Sequence, residues 1–174
     1  IPSMPADLPA PRLYRDETDL ARMCGLLQAG RGANNGTYYV HTGDLLWWLY
    51  YPPLGTSPWE HIYLWDDPSV PGRVLGWALL ASDGATYDVY FQPDLRGTTF
   101  ADAMYAWAED RLVELARAAG RNRVGVFWVT PDDDVHAGRL ARRGFRAVSQ
   151  DVALSISLGD TLRSPTVPPG FEVR

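Results

Sequence analysis

Between Tyr87 and Gly120 the chain reads YDVYFQPDLRGTTFADAMYAWAEDRLVELARAAG, a strand, a turn, an Arg-Gly loop and a long helix in immediate succession. Residues 87–92 alternate in the way of a strand, and Pro93 with Asp94 opens a turn. Apolar residues then recur at Phe100, Ala103, Met104, Trp107, Leu112, Leu115 and Ala119, the spacing of a helix with one buried face. A strand that feeds a glycine-containing loop and then a helix aims backbone N–H groups at one spot, where the helix dipole favours an anion.

The rest of the chain supplies the partners this unit needs. Residues 12–15 (RLYR) suit a short first strand, and Asp16, Glu17, Thr18 and Asp19 offer acceptors for the start of a helix over 18–28 that buries Leu20, Met23, Cys24 and Leu27. RGANNG at 31–36 is expected to break it. His41 to Asp44 can cap a second helix, 45–51, which the adjacent Pro52 and Pro53 terminate. Two strands follow at 61–65 and 73–81, and Ser82-Asp83-Gly84 is a hairpin signal leading into residue 87. Gly120 suits a helix C-terminus; 124–130 (VGVFWVT) reads as a strand covered on both faces. A last helix over 133–143, opened by Pro131 and three aspartates and closed by Gly144, precedes a final strand over 148–158. The order β-α-α-β-β-β-α-β-α-β predicts an α/β domain with a mixed sheet.

Composition excludes several classes of function. A chain of 174 residues suits one domain of ordinary size, with no apolar run long enough to span a bilayer. The N-terminus, IPSMPADLPAPR, has neither a basic segment nor an apolar one, which argues against a secretory leader, and the single Cys24 fits a reducing, cytoplasmic setting. All sixteen basic residues are Arg, which removes every lysine Schiff-base mechanism. The net charge of −5 argues against nucleic acid as a partner, so any anionic ligand is held locally. His41, His61 and His136 lack metal-ligand spacing, and Asp132, Asp133 and Asp134 read as helix-start carboxylates.

The order of elements, the VYFQPDLRG segment before an amphipathic helix, and the ending ARRGFRAV resemble the GNAT acyltransferase superfamily. The resemblance spans about residues 12–158, leaving 1–11 as a disordered leader and 159–174 as a Pro/Ser/Thr-rich linker. Because this linker is followed by PPGFEVR, which resembles a strand beginning again, the chain fits the N-terminal half of a tandem protein. The resemblance implies a central, mostly antiparallel sheet flanked by helices. It also implies acetyl-CoA as cosubstrate, its pantetheine arm pairing with the organising strand at a bulge placed here at Phe91 and Gln92. The pyrophosphate loop becomes Arg96, Gly97, Thr98, Thr99, Phe100 and Ala101. Arg96 and Ala101 match the ends of the family's pattern, while Thr99 stands where a glycine is usual.

That departure has physical consequences. Threonine disfavours both close backbone approach and positive φ, and Thr99 with Asp102 makes a T-x-x-D capping box that competes for the loop's N–H groups. On the last helix the family's Asn and general-acid Tyr fall at Asp133 and Leu140, and leucine donates no proton. The basic cluster Arg139, Arg142, Arg143 and Arg146 suits a helix C-terminus and, by the resemblance, lies toward the CoA end. Asp88 is the leading candidate base, followed by Glu60, His61 and His41. Trp47, Trp48, Tyr50, Tyr51 and Trp59 fall in the segment that lines the acceptor pocket in GNAT enzymes, so an aromatic-walled pocket is expected; Trp107 and Trp128 are assigned to the core. Two functions follow. One is acetyl transfer to an amine of a small molecule or peptide; the other is a degenerate, non-catalytic GNAT-like scaffold, serving in a homodimer or as half of a tandem protein.

Overall fold

The computed structural model describes residues 4–6, 8–33, 40–50, 60–126, 128–130, 133–149 and 168–172. Among them, β1 (Arg12–Leu13), β2 (Ile62–Asp66), β3 (Val74–Leu80), β4 (Thr86–Phe91) and β5 (Gly125–Val126) form one sheet in that spatial order. The first four pair antiparallel, and β5 runs parallel to β4. Helices α1 (Glu17–Ala33) and α2 (Thr42–Tyr50) cover one face, and α3 (Thr99–Ala118) covers the other with α4 (Asp134–Arg142) packed against it. This is the expected mixed, mostly antiparallel sheet between helices.

Side chains alternate between the two cores because the strand period is two. Ile62 and Leu64 of β2 join α1 and α2, while Tyr63 and Trp65 face α3. On β3 the alternation reverses: Trp65 pairs with Gly76 and Asp66 with Val74, so Leu75 is an extra residue and Val74 shares a face with Trp77. This bulge lies on β3 opposite β2, and the register between β3 and β4 shows no shift. The β3–β4 ladder runs unbroken to the Gly76–Phe91 pair, and the Gln92 N–H continues it to the Leu75 carbonyl at 2.8 Å.

Helix α3 carries most of the second core. Met104, Trp107 and Leu112 are buried against Tyr63, Trp65 and Tyr87, each contributing about 1.5–3 kcal/mol through the apolar surface removed from water. The hairpin before β4 lies flat on this helix. Gly84 has φ 70°, and a Cβ there would stand 2.2 Å from the Ala116 nitrogen, so glycine is required on both conformational and steric grounds.

Several boundaries differ from the sequence reading. Helix α1 continues through Arg31 and Gly32 to Ala33. Its Gly30, costly in an isolated helix, gives the Tyr90 hydroxyl room against the helix. Helix α2 begins at Thr42, capped by His41, whose N–H donates to Asp44 and whose Nδ1 accepts from Gly43. Among the described residues the strand read at 124–130 is Gly125–Val126, paired with the start of β4. Val148 is 95% exposed and outside any strand, and residues 150–158 of the expected last strand lie outside the described residues, as do Tyr51, Trp59, Phe127, Pro131, Asp132 and most of the expected linker. Met4 and Leu8, from the segment read as a leader, pack on the α3-side core. No described helix is long and apolar enough to cross a membrane.

Candidate active site

Among the described residues, strands β4 and β5 pair at Thr86 with Gly125 and Tyr87 with Val126; Trp128 joins the α1-side core while Val124 and Val126 stay with the α3 side. The two strands thus part along the second half of β4. Within β4, Thr86 gives its carbonyl to Ala81 and Gln92, just past its end, gives its N–H to Leu75, so even-numbered residues bond toward β3. The main-chain groups of Val89 and Phe91 face the opposite way, into the gap.

The strand then leads directly to a helix start. Pro93–Leu95 forms one 3-10 turn, Gly97 takes φ 73°, and Thr98 is extended at ψ 161°. Thr98 is the N-cap: its Oγ1 accepts from the Ala101 N–H at 3.3 Å and donates to the Leu95 carbonyl at 2.6 Å. The expected Thr99/Asp102 capping box does not form. The left-handed turn falls at Gly97, so Thr99 is already the first right-handed helical residue and its side chain cannot reach back to cap. The N–H groups of Thr99 and Phe100 precede the first intrahelical bond, Asp102 N–H to the Thr98 carbonyl, and point out of the helix end. Open space surrounds Gly97 on the side where a Cβ would stand.

Helix α4 forms the facing wall. Asp133 caps it, accepting from the His136 N–H at 2.8 Å, and the same carboxylate is ion-paired with Arg96. The His136 imidazole stacks on Tyr105 of α3 with ring centroids 4.6 Å apart, and the Arg139 guanidinium stands 4.3 Å from the same ring centre. Phe91, the last residue of β4, meets the edge of Tyr105 at 5.7 Å. Burial pushes His136 down to about 4, against the opposing pull of Asp133, and burial raises the Tyr105 phenol. Deeper in the seam, buried Glu109 accepts from Tyr87 Oη and Arg139 Nη1, both at 2.6 Å, and pairs with Arg143.

No family model and no curated protein matches the chain. Solved structures do. An acetyltransferase from Streptococcus agalactiae aligns with a TM-score of 0.53 at 14% identity, over 87% of this chain and 93% of that one. A protein assigned to phosphinothricin N-acetylation aligns at 0.53 and 15%, over 78% and 81%. A protein of Clostridium acetobutylicum predicted to be an acetyltransferase and solved with acetyl-CoA aligns at 0.51 and 14%, over 84% and 95%. The chain has the GNAT fold.

Within this GNAT fold the expected site residues separate into two groups. Phe91, Gln92, Arg96, Gly97, Thr98, Thr99, Phe100, Ala101 and Asp133 all lie along the end of β4, the loop before α3 and the cap of α4. The Gln92 amide is engaged with β3, donating to the Val74 carbonyl at 3.0 Å. Asp88 is buried, 4% exposed, in the middle of β4 opposite Leu79, on the face of Tyr90 and Trp77. Glu60 is exposed before β2, about 10 Å from β4 across two strand spacings. Burial lowers the pKa of His61 beside it, and His41 caps α2. Trp47 and Tyr50 are exposed on α2, Trp48 is partly buried against the core, and Leu140 is buried.

Tyr105, Glu109 and His136 were not anticipated as residues of this seam. Glu109 carried a signal, since it sits four residues from Tyr105 and three before Leu112 on the inward face of α3. The arginines read as a helix-end cluster are partly internal: Arg139 is buried, and with Arg143 it neutralises Glu109.

Proposed function

We propose that the chain is an acyl-CoA-dependent N-acyltransferase that moves an acetyl group to an amine of a small molecule or peptide. One observation carries this reading: among the described residues β4 has no pairing with β5 beyond Tyr87, and it leads straight into a helix start whose first N–H groups precede the first intrahelical bond, beside a left-handed glycine. An extended amide-bearing arm fits the first feature, and a pyrophosphate fits the second. In this reading Val89 and Phe91 pair with the pantetheine through their main chain. Gly97, Thr99 and Phe100 receive the pyrophosphate, with Arg96 as the nearby cation.

Acetyl-CoA supplies the activated acyl group as a thioester. The protein must hold the acceptor on the other side of β4 and take its proton. Asp88 is the proposed base, because it lies on β4 itself, on the face of α1 and α2. Glu60, two strands away and exposed, ranks behind it. Leu140 cannot return a proton to the leaving thiolate, so water or another group does so. Its burial in the core is the observation that favours a second reading, a ligand-binding GNAT-like domain without turnover.

Calorimetric titration with acetyl-CoA tests the proposal. Micromolar binding that Arg96→Glu abolishes is expected, and absence of binding at millimolar acetyl-CoA overturns it. Free thiol released with an amine panel, lost in Asp88→Asn while binding persists, separates the enzyme from the non-catalytic reading.

A further inference from the structure

Two ion pairs of opposite polarity cross the seam between the start of α3 and α4. Arg96, in the loop before α3, pairs with Asp133 at the cap of α4, and Arg139 of α4 stands 3.8 Å from Asp102 in the first turn of α3. The first pair occupies the guanidinium of the loop that leads into α3. Asp133 is fixed independently of Arg96, because its Oδ1 also accepts the His136 N–H that caps α4. It therefore stays in place when Arg96 turns away.

We infer that Asp133 is a specificity-determining residue of this site, a built-in competitor that an anionic ligand must displace from Arg96. The inference rests on the acyl-CoA reading above. A phosphate oxygen and the Asp133 carboxylate are alternative partners for one guanidinium, which meets either by the same charge-assisted hydrogen bonds. A ligand that takes Arg96 leaves Asp133 anchored and negative beside it. Weakly charged anions gain too little to make that exchange, whereas a pyrophosphate carries enough charge and enough oxygens to engage Arg96 and the α3 N–H groups together.

Asn at this position keeps the capping oxygen and removes the charge. Asp133→Asn is expected to bind acetyl-CoA about three- to tenfold more tightly than the unaltered chain, with its melting temperature little changed. The gain must depend on Arg96: it should shrink toward nothing when Arg96→Gln and the double variant are compared. Calorimetry on all four proteins decides the matter. An Asp133→Asn affinity equal to or weaker than the unaltered chain's overturns the inference and leaves the acyl-CoA reading standing. An equal gain in the Arg96→Gln background also overturns it, since a general field effect would then explain the result. No binding by any of the four at millimolar acetyl-CoA overturns the acyl-CoA reading and the inference with it.

Discussion

Arg139 of α4 donates to Glu109 of α3 at 2.6 Å, joining residues thirty positions apart inside the protein, and Tyr87 of β4 reaches the same oxygen. A carboxylate buried this deeply is tolerated only because two guanidinium groups and a phenol satisfy it. Glu109→Ala is expected to lower the unfolding free energy by about 3–5 kcal/mol, as it strands the Arg139 charge. Tyr87→Phe, which removes one hydrogen bond and keeps the ring, should cost only about 1 kcal/mol. Urea denaturation of both variants checks the ranking; equal losses would mean that the charge pairing contributes nothing beyond packing.

The assignment of the α3 cap has its own signature. Thr98→Ala removes the oxygen that accepts from Ala101 and should destabilise by about 1 kcal/mol, while Thr99→Ala, at the first helical position, should be near neutral. Thermal melts of the pair discriminate between the two positions. A larger loss at Thr99 would restore the capping box that the sequence suggested.

Acid should weaken the protein in two stages. His136 binds its proton near pH 4 when folded and near 6.5 as a free side chain, so the unfolded chain takes up more protons in that window and stability falls as pH drops through it. The full loss is about 3 kcal/mol, reached near pH 4. Asp19 acts below that. Burial would raise it, but hydrogen bonds from Arg12 and Arg15 outweigh burial and hold it well below the usual carboxylate range, so its contribution is present above the unfolded value and is lost on further acidification. His136→Phe keeps a stacking ring on Tyr105 and should flatten the stability profile between pH 6.5 and 4 only. Denaturation midpoints across that range test this, and an unchanged slope would show that His136 is not the group titrating.

Much of the fold was legible because it is written in neighbouring residues. The apolar run of β2, the alternation in β4, the 3.6-residue apolar spacing of α3, the aspartates opening α1 and α4, and Gly84 in the hairpin each depend on short-range geometry. Errors came where a distant partner overruled a local signal. The RGANNG stretch from Arg31 looked like a break, yet α1 continues to Ala33. The apolar run 124–130 looked like a full strand, yet among its described residues β4 pairs with Gly125 and Val126 alone. Thr99 and Asp102 had the spacing of a capping box, but the position of the left-handed residue gave the cap to Thr98.

By itself the sequence determined a strand, a glycine turn and a long amphipathic helix, hence an anion-favouring helix start between residues 96 and 101. Only the tertiary structure decided what stands across from it. Asp133 meets Arg96, His136 and Arg139 close on Tyr105, and Glu109 is neutralised because β4, α3 and α4 converge on one seam. Periodicity reports which face of an element is buried. It carries no information on which charges the folded chain brings within a few ångströms of each other.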